Sequence, residues 1–274
     1  MLTVLIATGG SAHSMIAVKM GVYLATLLPV DITLLTVVGH EDQMSMGADV
    51  LEKASYLFTD VSCPLHTVVR IGHAPQEIVG ELENGRYDLL LMGERMHHDL
   101  MSRLLGPTAL YVIDHATHPV LLAKHDVLPL KHLLLCDSGT RTPKLLDRFF
   151  ERLPQFFGLD IDMTVLHVMS QISAGPGVSG QVLRADAGEL MEAHSPEGEL
   201  LADDLQFLNQ YGVQARAKVR HGLVVDEIMA EAESENYDLI VIGSHRYEGW
   251  QRFLLDDLAH KIVKQAERPL LVIC

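Results

Sequence analysis

The stretch Tyr87-Asp88-Leu89-Leu90-Leu91-Met92-Gly93 recurs 150 residues further on as Tyr237-Asp238-Leu239-Ile240-Val241-Ile242-Gly243. Each copy is an apolar run that ends at a glycine, which is typical of a buried strand followed by a turn. An ungapped alignment of residues 70–124 with residues 220–274 gives 16 identities in 55 positions. The two halves of the chain are therefore related, and we predict a duplicated domain.

The order of elements around this stretch is the same in both halves. In the first half the pattern predicts strands at 2–8, 31–38, 64–70, 87–92 and 119–123, a helix that ends near Pro29, and helices at 42–58, 75–83 and 106–116. In the second half it predicts strands at 133–136, 160–168, 215–220, 239–242 and 270–273. Apolar strands that alternate with helices favour a parallel sheet covered on both faces, so each half is predicted to be a small doubly wound α/β domain.

The boundary between the halves is expected near residues 125–131, where Pro129 lies between two predicted strands. We therefore predict a first domain at 1–125 and a second at 130–274. One segment, 171–200, departs from the repeat, and its glycines and prolines predict that it includes a mobile loop.

The composition is that of a globular protein with an acidic surface. Of 274 residues, 48% are apolar and 21% charged, and the formal net charge of −15 disfavours nucleic acid and anionic membranes as partners. No apolar run reaches the roughly 18 residues that a membrane span needs, and the N-terminal residues lack the pattern of a signal peptide. The cysteines, Cys63, Cys136 and Cys274, are far apart in sequence, so neither a disulfide nor a zinc site is expected. A cytoplasmic location is expected instead.

Landmarks in a constant order carry a resemblance to a known family. The first half has Ala7-Thr8-Gly9-Gly10-Ser11-Ala12-His13-Ser14 after its first strand, Val69-Arg70-Ile71-Gly72 before its third helix, then the stretch from Tyr87 and a final strand from Pro119. This order resembles the universal stress protein family. The resemblance implies two tandem Rossmann-like (adenine nucleotide alpha hydrolase-like) domains. Each is a five-stranded parallel sheet of order 3-2-1-4-5 with helices on both faces.

The resemblance also implies that the last strands, 119–123 and 269–273, pair with each other as an internal pseudo-dimer. An apolar edge strand needs a cover, and a tandem partner can supply it. Whether two chains associate further as a homodimer stays open at this point, and so does the identity of a protein partner.

Nucleotide-binding members of the family carry Gly-x2-Gly-x9-Gly-(Ser/Thr), in which glycines let backbone N–H groups approach phosphates. The first half has Gly93-x2-Met96-x9-Gly106-Pro107-Thr108, so the spacing is intact. Met96 replaces the middle glycine, and Pro107 removes an N–H that could have bound phosphate. The resemblance thus implies a nucleotide site in the first half that has lost part of its usual pattern.

The second half carries Asp256-Asp257 where the pattern requires a glycine and a hydroxyl. A phosphate oxygen about 4 Å from a carboxylate costs roughly 4 kcal/mol at an effective dielectric constant of 20, so ATP is not expected there. We predict that these aspartates cap the last helix, a carboxylate pair for a divalent metal being the alternative. Asp137 keeps the family's acidic position after the first strand, whereas Gly9 is predicted to occupy it in the first half, so a ligand without phosphates stays open for the second half.

These features give a candidate ligand site that lies almost wholly in the first half. Its residues are Ala7, Thr8, Gly9, Gly10, Ser11, Val37, Met92, Gly93, Arg95, Met96, Gly106, Pro107, Thr108 and Asp137. The ligand we expect is an adenine nucleotide, ATP with Mg²⁺ included, in a cytoplasmic stress-response or regulatory protein whose second domain is degenerate. The alternative is a member that binds no nucleotide and acts as a protein-interaction module or binds an apolar small molecule.

No catalytic or metal-binding residues are predicted. Gly-x-Ser-x-Gly is absent, and no Ser-His-Asp or Cys-His arrangement has a supporting context. The 15 histidines show no spacing that is specific for a metal ion. An enzyme is therefore not expected, weak ATP hydrolysis being the alternative that remains.

Overall fold

In the computed structural model the described residues are 1–94, 106–124, 129–137, 144–169, 185–244 and 252–274, with only the backbone described for 252–257. The strands are β1 (Leu2–Ala7), β2 (Val30–Val38), β3 (Leu65–Ile71), β4 (Leu89–Gly93), β5 (Val120–Ala123), β6 (His132–Cys136), β7 (Asp162–Met169), β8 (Gln214–His221), β9 (Leu239–Gly243) and β10 (Leu270–Ile273). The helices are α1 (Ala12–Leu27), α2 (Met44–Ser55), α3 (Ala74–Asn84), α4 (Pro107–His115), α5 (Leu145–Arg152), α6 (Ala187–Glu192), α7 (Pro196–Gln210), α8 (Val224–Ser234) and α9 (Arg252–Gln265). Every strand predicted from an apolar run is present, with bounds that differ by one or two residues.

The chain packs as two compact units. The first comprises Met1–Leu128, Ser244–Asp256 and Pro269–Cys274, and the second comprises Pro129–Gly243 and Asp257–Arg268. Packing thus places β10 in the first unit, although the repeat assigns this strand to the second half. The predicted domain ranges, 1–125 and 130–274, describe the repeat and stay a prediction.

The first unit is built on a parallel sheet of order β3-β2-β1-β4-β5, which is the predicted 3-2-1-4-5. Ala7 of β1 lies between Leu35 of β2 and Met92 of β4, so the carboxyl ends of these strands meet at one edge. The strand β10 runs antiparallel to β5, with Leu271 opposite Leu121. The pairing of last strands that the resemblance implies is therefore present.

The second unit has a parallel sheet of order β8-β7-β6-β9, the same arrangement for the first four strands of its repeat. Aromatic side chains hold α5 against α7 beside this sheet. Phe150 of α5 contacts Phe207 and Tyr211, with ring centroids 5.3 Å and 4.4 Å away. Phe150 and Phe207 are half-buried and Tyr211 is 45% exposed, so the cluster joins the two helices at the margin of the unit's core.

Both repeats use the same glycine turn between their third strand and third helix. Gly72 follows β3 with φ +151°, and Gly222 follows β8 with φ +158°. Residues with a Cβ rarely adopt such positive φ angles, so these two glycines are required by the backbone. The turn leads into α3 in the first repeat and α8 in the second.

A buried carboxylate accounts for several identities of the repeat. Glu81 of α3 is 9% exposed and accepts hydrogen bonds from Arg70, through Nε at 2.8 Å, and from the Tyr87 hydroxyl at 3.0 Å. These bonds tie α3 to β3 and to the residue that precedes β4. A buried charge is tolerated when it is paired and hydrogen-bonded, so the three side chains form a structural unit.

The second repeat contains a stronger version of this cluster. Glu231 is 1% exposed and accepts from Lys218 at 2.7 Å, from Arg220 at 2.6 Å and from the Tyr237 hydroxyl at 2.7 Å. Burial opposes ionisation of Glu231, but the bonds from Lys218, Tyr237 and Arg220 outweigh it and lower its pKa to about 2. The arginine, glutamate and tyrosine that the two repeats share in this cluster therefore stabilise the fold.

The segment that departs from the repeat is helical in its described part. The helix α6 begins after Asp186, whose carboxylate accepts from Glu189 N at 2.9 Å, and α7 begins after Ser195, whose hydroxyl accepts from Gly198 N at 3.0 Å. Residues 185–200 are therefore not loop alone. The predicted mobile loop falls mostly on 170–184, which lie outside the described residues.

Candidate functional site

The carboxyl ends of β1, β2 and β4 open into a cleft of about 350 Å³ in the first unit. Parallel α/β sheets bind ligands at this edge, outside the carboxyl ends of their strands. The helices α1, α3 and α4 complete the walls. The lining residues are Ala7, Thr8, Gly9, Ser11, His13, Ser14, Leu35, Val37, Ala74, Ile78, Met92, Gly93, Glu94, Gly106, Thr108 and Ala109.

Hydroxyl groups organise the turn between β1 and α1. Ser11 is the N-cap of α1, and its Oγ accepts from Ser14 N at 3.3 Å. The Ser14 Oγ in turn accepts from Gly9 N at 3.2 Å and from the Thr8 hydroxyl at 3.1 Å. The turn therefore presents hydroxyls and the positive end of a helix dipole to the cleft, a combination suited to hydrogen-bonding a polar or anionic group.

The glycines at the cleft are present for different structural reasons. A Cβ on Gly93 would overlap the carbonyl oxygen of His13, so close packing of β4 against α1 requires glycine there. Gly10 has φ +75°, which the backbone requires. At Gly9 and Gly106 a Cβ would meet nothing within 4 Å, and neither residue has a positive φ. A Cβ at these two lining positions would therefore project into open space among the described residues, and at Gly106 glycine is in addition a favoured N-cap residue.

The helix α4 begins at the cleft with Pro107. Its N-cap, Gly106, has φ −58° and ψ 138°, and proline at the first helical position has a suitable φ. Ala109 N donates to Gly106 O at 3.0 Å and closes the first turn. Proline supplies no N–H, so this end offers one donor fewer than the family pattern.

A buried ion pair lies at the β4 side of the cleft. Glu94 follows β4 and lines the cleft, and its Oε2 lies 2.9 Å from Nζ of Lys124, which follows β5. The two residues are 7% and 3% exposed. Burial raises the pKa of Glu94, and the neighbouring ammonium of Lys124 opposes this shift.

Most of the predicted site residues come together in this cleft. The predicted residues that line it are Ala7, Thr8, Gly9, Ser11, Val37, Met92, Gly93, Gly106 and Thr108. Gly10 and Pro107 adjoin it in sequence, whereas Arg95 and Met96 lie outside the described residues. Asp137 lies in the other unit and takes no part in the cleft.

Sequence reasoning missed a further set of lining residues. They are His13, Ser14, Leu35, Ala74, Ile78, Glu94 and Ala109. Ser14 could have been found from its position three residues after the N-cap, because the backbone N–H at that position usually donates to the side chain of the capping residue. The others reach the cleft through the packing of α3 and α4 on the sheet, which no local motif encodes.

One prediction about the repeat is corrected by the strand registers. Ala7 pairs with Leu35 and Cys136 with Leu166, so the next residues, Thr8 and Asp137, occupy the same position of the repeat. Their N–H groups make equivalent hydrogen bonds: Thr8 N donates to Leu35 O at 2.9 Å, and Asp137 N donates to Leu166 O at 3.1 Å. The residue that replaces the family's aspartate in the first half is therefore Thr8, and the prediction of Gly9 was wrong.

The prediction that Asp256 and Asp257 cap the last helix was also wrong. The helix α9 begins at Arg252, four residues before Asp256, so both aspartates lie inside it. In the first repeat Pro107 starts the helix, whereas the second repeat has no proline at this point and the helix extends further toward its N-terminus. A position inside a helix cannot offer backbone N–H groups to a phosphate, because those groups bond within the helix.

Buried ionisable side chains occupy the carboxyl edge of the second unit. Asp204 of α7 is 2% exposed, and Lys144 Nζ lies 3.4 Å from its Oδ1. Burial raises the pKa of Asp204 to about 6, and Lys144 only partly opposes the shift. His167 of β7 is 8% exposed, and burial lowers its pKa. The described part of this edge therefore carries buried ionisable groups, whereas glycines line the cleft of the first unit.

Neither a metal centre nor a membrane span is found in the described part of the chain. Among residues 1–94, 106–124, 129–137, 144–169, 185–244 and 252–274, no group of three His, Cys, Asp or Glu side chains could hold a metal ion. In the same ranges, each helix is too short or too polar to cross a bilayer. The cysteines Cys63, Cys136 and Cys274 form no disulfide.

The fold and the cleft define a tandem Rossmann-like α/β protein with a ligand-sized site in its first unit. The model of the universal stress protein family matches residues 1–124 and, a second time, residues 131–273. The chain therefore belongs to the universal stress protein family and carries two copies of its domain. The predicted family and fold class are confirmed.

Known proteins resemble the chain over different lengths. A universal stress protein from Archaeoglobus fulgidus superposes on 98% of this chain and 97% of its own, with a TM-score of 0.74 and 18% identity, a likeness of fold. A universal stress protein from Methanocaldococcus jannaschii is 32% identical over 75 residues, which are 27% of this chain and 44% of that protein. This chain therefore matches less than half the length of that relative.

A third protein, a family member from Arabidopsis thaliana, has a structure with AMP bound. It matches 46% of this chain and 93% of its own, with a TM-score of 0.37 and 21% identity. The AMP belongs to that protein.

Proposed function

We propose that the cleft of the first unit binds an adenine nucleotide and that the protein acts in a stress response as a nucleotide-dependent regulator. Membership of the universal stress protein family supports this ligand class. The cleft lies at the edge of the sheet where Rossmann-like folds bind nucleotides. ATP with Mg²⁺ is among the ligands proposed.

The observation that carries the proposal is the pair Gly9 and Gly106. Both line the cleft, and a Cβ on either would meet none of the described atoms within 4 Å. A larger residue at either position would therefore extend into the cleft, and glycine leaves room for close approach of a ligand. The N-termini of α1 and α4 provide positive dipole ends for a phosphate nearby.

The chain's own residues would hold the nucleotide in two ways. Apolar side chains of β2 and α3, among them Val37 and Ile78, offer a surface for a base. Hydroxyls of Thr8 and Ser11 offer hydrogen bonds to polar groups of the ligand. Since the described residues form no metal-binding group, Mg²⁺ would enter with the phosphates.

Calorimetric titration with adenosine, AMP and ATP, with and without Mg²⁺, tests the proposal. We expect binding to the wild-type protein and a loss of about tenfold or more for Gly106→Val, because its side chain would fill the cleft. The matched control is Gly80→Ala on α3, where a Cβ also meets nothing within 4 Å but the position does not line the cleft. The absence of heat at millimolar ligand, or equal losses in both variants, would contradict the proposal.

We propose binding without catalysis, in the cytoplasm. The described lining contains a threonine and two serines on one turn but no histidine paired with them as a base. None of the three cysteines forms a disulfide, which agrees with a reducing compartment. Release of phosphate from ATP that persists after removal of contaminating ATPases would contradict this part of the proposal.

A second candidate function is the binding of an apolar small molecule or a protein segment. The apolar lining favours it, as does Pro107, which removes a phosphate donor. Mass spectrometry of small molecules released from the denatured protein separates the two candidates. An adenine nucleotide recovered at close to one per chain supports the first, and an apolar compound supports the second.

A further inference from the structure

The two repeats differ in charge at the end of their fourth and fifth strands. In the first repeat Glu94 N donates to Ala123 O at 3.0 Å, and in the second Ser244 N donates to Ile273 O at 2.9 Å. These bonds and the offset of 150 residues place Ser244 at the position of Glu94 and Cys274 at the position of Lys124. The buried ion pair is thus a property of the first repeat.

Glu94 is the member of this pair that lines the cleft. Lys124 is not among the lining residues, and only 3% of it is exposed. The described lining contains no lysine or arginine, and Glu94 is its one carboxylate. Because Glu94 is only 7% exposed, its charge is less screened by water and acts more strongly on a charged ligand than a surface charge would.

The position of Glu94 decides which part of a nucleotide it would meet. Glu94 directly follows Gly93 at the carboxyl end of β4, and Gly93, Glu94 and Gly106 all line the cleft. Val37, at the carboxyl end of β2, lies on the other side of β1 in the sheet. A base against β2 would therefore direct its phosphates toward Glu94.

We propose that the buried Glu94–Lys124 pair selects ligands by charge, so that the cleft takes adenosine or its monophosphate in preference to a triphosphate. This inference rests on the proposed binding of adenine nucleotides. Each phosphate beyond the first brings further negative charge toward the Glu94 carboxylate. The helix N-termini supply attraction that is sufficient for one phosphate group but is reduced here by the proline at the start of α4.

Calorimetry with adenosine, AMP and ATP, each with and without Mg²⁺, tests the selection through the ratio of dissociation constants. For the wild-type protein we expect AMP to bind about tenfold more tightly than ATP. Glu94→Gln removes the carboxylate and keeps the buried Lys124 ammonium next to the cleft, so it should reverse the preference, with ATP tighter by about tenfold. Glu52→Gln, which makes the same change of net charge on an exposed residue of α2, should leave the ratio as in the wild type.

A second variant guards against failure of Glu94→Gln to fold. The double variant Glu94→Ser with Lys124→Cys places the residues of the second repeat in the first and removes both buried charges together. Thermal melting checks that it is folded, and AMP and ATP should then bind within about threefold of each other.

The outcomes separate this inference from the proposed function. If the wild-type protein binds none of the three ligands, the proposed function is wrong and this inference falls with it. If the protein binds AMP and ATP with a ratio that neither variant changes, the inference alone is wrong. It is also wrong if ATP needs Mg²⁺ and Glu94→Gln abolishes that dependence, since Glu94 would then be a metal ligand.

Discussion

The carboxyl edges of the two repeats are built on the same strand order but are filled differently. In the first, Gly9 and Gly106 leave open space beside an ordered turn. In the second, Asp204 and His167 are buried at the corresponding edge, and α9 begins four residues before Asp256. The first edge opens into a cleft, and buried ionisable side chains lie at the second.

This difference shows which parts of a duplicated domain are kept for folding. The glycine turns at Gly72 and Gly222 and the buried carboxylates Glu81 and Glu231 are shared, and each has a backbone or packing reason. Other positions at the carboxyl edge have diverged, among them Glu94 and Gly106, which line the cleft of the first unit and correspond to Ser244 and Asp256 in the second repeat. The shared residues thus serve the fold, and the residues that differ include two that line the cleft.

The largest effect expected in this comparison concerns the glycine that ends the fourth strand. In Gly93→Ala the Cβ would overlap backbone of α1, which cannot move independently, so we expect a loss of about 3 kcal/mol or more. In Gly243→Ala the Cβ would lie 2.5 Å from Nη2 of Arg148, at the far end of a flexible side chain, and about 1 kcal/mol is expected. Urea unfolding followed by circular dichroism measures both.

The Gly93 and Gly243 variants also test whether the two carboxyl edges are packed differently. Equal losses at Gly93 and Gly243 would show that the two edges are packed alike. Gly80→Ala, with open space around its Cβ and a helical backbone, is the control and should be neutral or slightly stabilising.

The next effect concerns the shared carboxylate cluster. Glu231→Gln should destabilise by about 3 kcal/mol, because it leaves Lys218 and Arg220 without their buried partner. Glu81→Gln should cost about half as much, since Arg70 is the one cation on Glu81 and its side chain is 49% exposed. Chemical unfolding of both variants at pH 7 measures the difference.

Acid should reveal the same asymmetry in the wild-type protein. The pKa of Glu231 is about 2 in the folded state and 4.5 ordinarily, so the ionised form stabilises the fold above pH 4.5. That contribution is lost as the pH falls from 4.5 toward 2. A stability profile in Glu231→Gln as steep over this range as in the wild type would contradict the assignment.

A smaller effect of opposite sign is expected at Asp204. Its folded pKa of about 6 lies above the ordinary 3.8, so the folded state holds the proton more tightly. Stability is full below about pH 4 and declines as the pH rises to 6. Asp204→Asn imitates the protonated form, and we expect it to stabilise the protein at pH 7 by about 1 kcal/mol. The variant no longer buries a charge, and this gain outweighs the loss of the contact with Lys144.

The charged groups that face Asp204 set how strongly its ionisation affects stability. Lys144 favours its ionised form, while Asp137 and Asp147 disfavour it. Melting temperatures of the wild type and Asp204→Asn should converge near pH 4 and differ most at pH 7. A variant less stable than the wild type at every pH would contradict the expectation. The first repeat offers the contrast, since its helix α2 buries Gly47, Leu51 and Ala54 and no acid.

The sequence predicted the strands because each is an apolar run bounded by turn residues, and strand order followed from the family resemblance. It found Gly93 and Gly106 because their spacing belongs to a motif. It missed Glu94 as a charged wall of the cleft, because its pairing with Lys124 depends on the register of β4 and β5. It misplaced Asp256 because a helix start is encoded weakly when no proline or cap marks it.

The assignment of Gly9 to the family's acidic position failed for a related reason. The ungapped repeat begins near residue 70, and the lengths between the second and third strands differ in the two halves. Only the pairing of β1 with β2, and of β6 with β7, shows that Thr8 and Asp137 correspond. Register is a property of the sheet, and a local pattern cannot supply it.

The smallest expected effect concerns the helix that follows the first strand of each repeat. Ser11 caps α1 through its hydroxyl, and Ser11→Ala should cost about 1 kcal/mol. In α5, the Asp147 carboxylate accepts from Lys144 N at 3.2 Å. Asp147→Ala removes that bond but also removes a like charge that raises the pKa of Asp204, so the two effects partly cancel. We expect Asp147→Ala to cost less than about 0.5 kcal/mol.

Thermal melting at pH 7 ranks these two variants, and the ranking depends on Asp204. In an Asp204→Asn background the compensation is absent, so Asp147→Ala should cost more there than in the wild type, by about 0.5 kcal/mol. Ser11→Ala should cost the same in both backgrounds, since Ser11 and Asp204 lie in different units. A cost of Asp147→Ala that does not change with the background would show that the second edge is not electrostatically coupled in the way its buried side chains indicate.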